Sequence, residues 1–209
     1  MRRGVRRTPF APNPWGGRGR KRIGLLGGSF NPAHDGHRHI SLQALHSLGL
    51  DEVWWMVTPQ NPLKQTAGMA PFAVRLAEAE RVSNHPAIRV TGIEARLGTR
   101  YTADTLAVLT RRFPATRFVW LMGADNLAQI CHWDRWTSIF RRVAVAVFDR
   151  SPYSYRSLAG KAARRYARHR LPVRRSVLLP RVAPPAWAFL HLKRHPASAT
   201  AIRQRQAGQ

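Results

Sequence analysis

The sequence predicts an α/β fold: a doubly wound, mostly parallel sheet with helices on both faces, in a single domain. Three observations predict it. Short apolar runs of buried-strand length alternate with stretches whose apolar residues recur at helical spacing. The first run ends in Gly27-Gly28 and leads straight into a helical pattern, the arrangement by which such sheets present ligands at the carboxyl ends of their strands. The chain has 209 residues and 44% hydrophobic content, enough for one well-filled core.

The elements follow in order. Residues 23–26 form an apolar run suited to a buried strand. A helix is expected from Asp35 or Gly36, with Ile40, Ala44 and Leu48 on one face and Gly49 as its stop. Residues 52–58 read as a strand, 70–83 as a helix and 88–91 as a third strand. Thr102 is expected to cap a helix running to about Phe113, with Asp104 in its first turn and Leu106, Leu109 and Phe113 at helical spacing. Residues 118–122 and 143–148 are strand-like, and 151–175 predict a helix with flanking loops. Residues 177–179 and 188–190 read as late strands, and 198–206 as a short helix.

Composition excludes several classes. One cysteine rules out a disulfide framework and any Cys-based zinc site, and makes a cytoplasmic location the expectation. No stretch approaches the ~20 apolar residues of a membrane span, so no membrane partner is expected. The formal charge of +25 is unevenly spread. Residues 1–22 hold eight basic groups and no acid, and residues 150–209 hold 14 and no acid; the middle carries all ten acids against 13 basic groups. The opening residues 1–22 mix Arg, Gly and Pro without period and read as a disordered basic tail, so the folded domain is expected over 23–209. Arginine supplies 31 of the 35 basic groups. A solvated Arg-rich surface accounts for that as well as a nucleic-acid surface does, and no specific nucleic acid is expected.

The segment with most chemistry is G27-G28-S29-F30-N31-P32-A33-H34-D35-G36-H37. Paired glycines let a ligand approach the backbone, and the helix start that follows offers free N–H groups to phosphate. His34 and His37 stand at that end, where an imidazole can donate to phosphate oxygens. The segment is neither the G-x-G-x-x-G fingerprint of dinucleotide-dependent dehydrogenases nor a P-loop. His34, His37 and His39 cluster, yet with only Asp35 beside them and no cysteine they do not make a zinc set, and no protein metal site is expected.

These residues resemble the signature of nucleotidyltransferases in which Gly-Gly-[Ser/Thr]-Phe-[Asp/Asn]-Pro leads into His-x-Gly-His. Within that group the chain is most similar to the bacterial nicotinate-nucleotide adenylyltransferases. The similarity continues through residues 49–64, R-Y-T-A-D-T-L at 100–106, W-L-M-G-A-D-N-L at 120–127, the Trp133–Trp136 pair and S-A-T-A-I-R at 198–203. The resemblance implies a Rossmann-like domain that transfers AMP from ATP to nicotinate mononucleotide, with Mg2+ carried on ATP. Residue by residue, it implies that His34, His37 and Arg203 act at the phosphates. Gly27, Gly28, Ser29, Phe30, Gly123, Asp125, Ser198 and Thr200 complete the ATP site. Tyr101, Thr102, Asp104, Trp133, Lys64 and Arg75 serve the mononucleotide. Two positions depart from the pattern: Ala197 and Ala199 flank Ser198 where a second hydroxyl is common, and Lys64 stands where many relatives have a histidine. A homo-oligomer is compatible with the family. The competing readings are a sister transferase with another phosphorylated acceptor and a non-enzymatic RNA-binding protein; Tyr101, Thr102 and Trp133 oppose the first, and the terminal position of the basic excess opposes the second.

Overall fold

The computed structural model describes residues 12–59, 68–149 and 154–191 and builds them on one seven-stranded sheet. The strands are β1 (Arg22–Gly28), β2 (Glu52–Val57), β3 (Ile88–Thr91), β4 (Arg117–Gly123), β5 (Ala144–Phe148), β6 (Arg170–Leu171) and β7 (Trp187–Leu190). Their order is β3-β2-β1-β4-β5-β7-β6, and every pairing is parallel. Parallel strands buried on both faces read as continuous apolar runs, which is why E-V-W-W-M-V and R-F-V-W-L-M-G were recognisable as strands.

Eight α-helices are described: α1 (Asp35–Leu48), α2 (Phe72–Ser83), α3 (Ile93–Leu97), α4 (Thr102–Arg112), α5 (Ala124–Gln129), α6 (Trp136–Arg142), α7 (Ser154–Leu158) and α8 (Lys161–Arg165). Alternate residues of each central strand feed opposite layers. Trp54, Met56, Trp120 and Met122 pack with Leu106 and Leu109 of α4, Leu127 of α5 and Ile139 and Phe140 of α6. Val53, Trp55, Val57 and Leu121 pack with Ile40, Ala44 and Leu48 of α1 and Leu76 and Ala79 of α2. The sheet is therefore doubly wound, as the alternation of runs predicts. Gly49 ends α1 in the left-handed region at φ 58°, with its N–H on the Leu45 carbonyl.

The structure corrects four details. Tyr101, in extended conformation, is the N-cap of α4, and Thr102 is its first helical residue rather than the cap. Residues 177–179 are not a strand but part of a 3₁₀ stretch, Val173–Arg181, entered from Pro172 and containing Pro180. It buries Ser176 and Leu179, three residues apart on one side, and leaves Val173, Val177 and Leu178 exposed. Residues 151–175 divide, where described, into α7, α8, a short 3₁₀ turn and β6, because Gly160 breaks the helical run and caps α8. The basic segment assigned to the tail is attached from residue 12 onward and enters β1 at Arg22. Arg112 donates to the Pro14 carbonyl, Gly17 N–H to the Arg112 carbonyl at 3.1 Å, and Thr116 Oγ1 to the Gly19 carbonyl at 3.1 Å. The last residue of α4 and the loop after it supply partners, a carbonyl and two side-chain donors, that a composition count cannot see. The expected helix at 198–206 lies outside the described residues.

Candidate active site

The order of the sheet reverses between β1 and β4, and ligands of such folds bind outside the carboxyl ends of the strands at that point. A cleft of ≈ 460 Å³ opens there. One wall is Gly27, Gly28 and Ser29; the other is Tyr101, Thr102 and Trp133; Glu94 and Trp120 lie between.

The glycine wall is set by contact. A Cβ on Gly27 would stand 2.6 Å from the Trp120 ring, so only glycine lets that indole edge into the cleft. Phe30 then turns the chain at φ 47°, a conformation that costs a non-glycine residue about 1–3 kcal/mol. The cost is met by burial: Phe30 is 2% exposed and stacks on Trp55 at 5.1 Å. This turn delivers His34 and His37 to the start of α1. His34 is its N-cap, and its N–H reaches His37 Nδ1 at 3.2 Å. The two rings are 3.8 Å apart, and His37 also sits 4.7 Å from the Phe30 ring. With Nδ1 accepting, the hydrogen of a neutral His37 ring is on Nε2. The histidines follow the glycine wall in the chain but do not themselves line the cleft.

Thr58 ties this loop to the rest of the site. Its N–H donates to the Gly28 carbonyl at 3.0 Å, and its hydroxyl donates to Glu94 Oε2 at 2.9 Å. Its carbonyl accepts from Arg75 Nη1 at 2.8 Å. The same nitrogen reaches the Ser29 carbonyl at 2.6 Å, while Nη2 and Nε bond the Pro59 and Ala70 carbonyls. Arg75, 1% exposed, is thus committed to backbone and absent from the cleft lining. The side chain expected at the mononucleotide is thus bonded to backbone carbonyls of the loops around the cleft. Burial lowers its pKa below the usual arginine value.

Glu94 is a residue that the sequence reading passed over. It is 5% exposed, lines the cleft, and also accepts from Thr105 Oγ1 at 3.1 Å. Burial pushes its carboxyl pKa up, against the pull of its two hydroxyl donors. An acid three residues beyond the end of a parallel strand was the available signal, at the edge where ligands bind. Arg100, Asn126, Gln129 and His132 also line the cleft without having been singled out.

On the aromatic wall, the Trp133 ring meets Trp120 edge-on at 6.3 Å. Asp104 is not in the lining. It pairs with Arg135 at 2.6 Å, and Arg135 also holds Asp134 at 2.6 Å, a clasp between α4 and the loop bearing Trp133. Gly123 ends β4 and caps α5; Asp125 lies in the first turn of that helix with Oδ1 buried and without a hydrogen-bond partner among the described residues. Neither belongs to the lining. Lys64, Ser198, Thr200 and Arg203 lie outside the described residues. Among the described residues no group of three His, Cys, Asp or Glu could hold a metal ion, and no helix is long and apolar enough to cross a membrane.

A doubly wound parallel sheet with a Gly-Gly-Ser loop after its first strand and an imidazole pair at the following helix start has the architecture of the nucleotidyltransferase class. The family model described as cytidylyltransferase-like matches residues 25–205. A nicotinate-nucleotide adenylyltransferase of Parvibaculum lavamentivorans is 54% identical over 184 residues, covering 88% of this chain and 92% of its own. Its counterpart from Gluconobacter oxydans is 51% identical over 183 residues, with 88% and 94% covered. The chain belongs to the nicotinate-nucleotide adenylyltransferase family. Among solved structures, nicotinic acid mononucleotide adenylyltransferase of Plasmodium falciparum complexed with NaAD shares the fold, with a TM-score of 0.65 at 17% identity over 88% of this chain and 83% of that one.

Proposed function

We propose that the chain transfers the AMP unit of ATP to nicotinate mononucleotide, forming nicotinate adenine dinucleotide and releasing pyrophosphate in NAD biosynthesis. The observation that carries this reading is the division of one cleft between a glycine phosphate loop and the Tyr101–Trp133 wall. One end suits the ATP phosphates; the other suits a flat ring. An oxygen of the mononucleotide 5′-phosphate bonds to the α-phosphorus of ATP, and the bond from that phosphorus to the bridging oxygen breaks. The pyrophosphate leaves with the electron pair. The attacking phosphate is already ionised near pH 7, so no general base is required.

The rate then comes from alignment of the two phosphates and from donors placed where charge develops. His37, His34 and Arg203 supply those donors, joined by Ser198, Thr200 and Lys64. Gly27, Gly28, Ser29 and Phe30 let the ATP phosphates approach the backbone, with Gly123 across the switch point. The open Oδ1 of Asp125 accepts from a ribose hydroxyl. Trp133 and Tyr101 flank the pyridine ring, and the first N–H groups of α4, beginning at Thr102, face its carboxylate. ATP enters as its Mg2+ complex. Of the two carboxylates in the cleft, Glu94 is held by hydroxyls and Asp134 by Arg135, so phosphates and water are the natural ligands of that ion. The single cysteine fits work in the cytoplasm. Pyrophosphate release from ATP, assayed with nicotinate mononucleotide and with phosphorylated acceptors that lack the pyridine ring, tests the reading. Turnover only with the latter would overturn it.

A further inference from the structure

We propose that Arg100 determines acceptor specificity by pairing its guanidinium with the ring carboxylate of the mononucleotide. The inference rests on the two-substrate reading of the cleft and deepens it. Among the described residues lining the cleft, Arg100 is the one Lys or Arg side chain. The two acids of the lining are already engaged: Glu94 by the hydroxyls of Thr58 and Thr105, Asp134 by Arg135. No carboxylate among the described residues forms an ion pair with Arg100, and its guanidinium carbon stands 5.9 Å from the Tyr101 ring centroid. A cation left unpaired in a cleft for anionic substrates is placed to take one of their charges.

Its position selects which charge. Arg100 sits on the connection between α3 and α4, on the aromatic side and not on the β1 loop. Its backbone is held on both sides: Thr99 N–H bonds the Glu94 carbonyl at 3.2 Å, Thr99 Oγ1 lies 2.8 Å from Thr105 Oγ1, and the Tyr101 carbonyl accepts from Asp104 and Thr105 N–H at 3.0 Å. A planar fork on a fixed backbone beside a ring-binding wall suits a carboxylate in two parallel hydrogen bonds. The neutral carboxamide of nicotinamide mononucleotide would gain far less from it.

The test compares wild type, R100A and R100K with nicotinate and nicotinamide mononucleotides. KM is measured for an acceptor that turns over and an inhibition constant for one that does not. R100A should weaken nicotinate mononucleotide about tenfold or more, the effect of losing a charged hydrogen bond. The nicotinamide analogue, the KM for ATP and kcat should move by less than about twofold, with R100K intermediate. Equal losses for both mononucleotides would assign Arg100 to the shared 5′-phosphate and overturn the proposal, as would a raised KM for ATP or no change at all. If wild type used neither mononucleotide, the functional reading itself would fail instead.

Discussion

His37 accepts the His34 N–H on Nδ1, and the proposed mechanism gives this side chain the part of a donor to phosphate. H37A is expected to lower kcat by about 10²–10³, the usual effect of removing one transition-state donor. Its melting temperature should change little, since the side chain is partly exposed. Near-normal turnover with an intact fold would remove His37 from the machinery. Glu94 leads to a prediction of another kind. Its folded pKa lies above the ordinary value of about 4.3 because burial disfavours the charge. Between those two values the native state holds more protons than the unfolded chain, so stability falls as pH rises. E94Q cannot ionise and keeps a polar partner for Thr58 and Thr105. It should therefore gain on wild type as pH increases above about 4.3, read as a growing difference in Tm. Parallel Tm curves would mean that Glu94 ionises in the fold as it does in the open chain.

At the scale of elements, the loop after β1 and the end of β2 are joined by Arg75 of α2. It donates to the carbonyls of Ser29, Thr58, Pro59 and Ala70. R75M fills similar volume but strips all four acceptors of their donor, and a loss of about 3 kcal/mol in urea unfolding is expected. Because the Gly27–Gly28–Ser29 wall is released, kcat/KM for ATP should fall more than that for the mononucleotide. On the opposite wall, W133A removes a stacking surface worth about 1–3 kcal/mol. The mononucleotide KM should rise about tenfold or more while that for ATP stays near wild type. The reverse pattern would exchange the two substrate sites.

The whole molecule carries its charge at its ends, yet one end is part of the fold. Residues 12–21 close over the end of α4 and deliver Lys21 to Glu52, with Pro12 and Pro14 buried. Composition by itself makes this stretch dispensable; its contacts say otherwise. Removing residues 1–21 should cost about 2 kcal/mol, or about 4–8 °C in Tm, for the hydrogen bonds and burial lost. An unchanged Tm would return the segment to the status of a tail. Beyond it, residues 154–191 hold nine Lys and Arg and no Asp or Glu, so the segment that carries β6 and β7 has charge of one sign.

The fold class and the glycine–histidine segment were legible because both are local. Buried parallel strands such as residues 52–57 must be apolar throughout, and a loop that lets a ring or ligand close to its backbone needs small residues next to its strand. The boundaries of β3 and the stop at Gly49 follow from the same local chemistry. Tertiary structure alone decided the rest. The 3₁₀ stretch Val173–Arg181 and a strand have similar apolar content, and packing of Leu179 against the sheet chose between them. Whether Arg75 meets a substrate or four carbonyls, and whether Asp104 lines the cleft or clasps Arg135, depends on partners far away in the chain. Glu94 carries no motif at all. Its role exists only because folding brings Thr58 and Thr105 to the same carboxyl and takes water away from it.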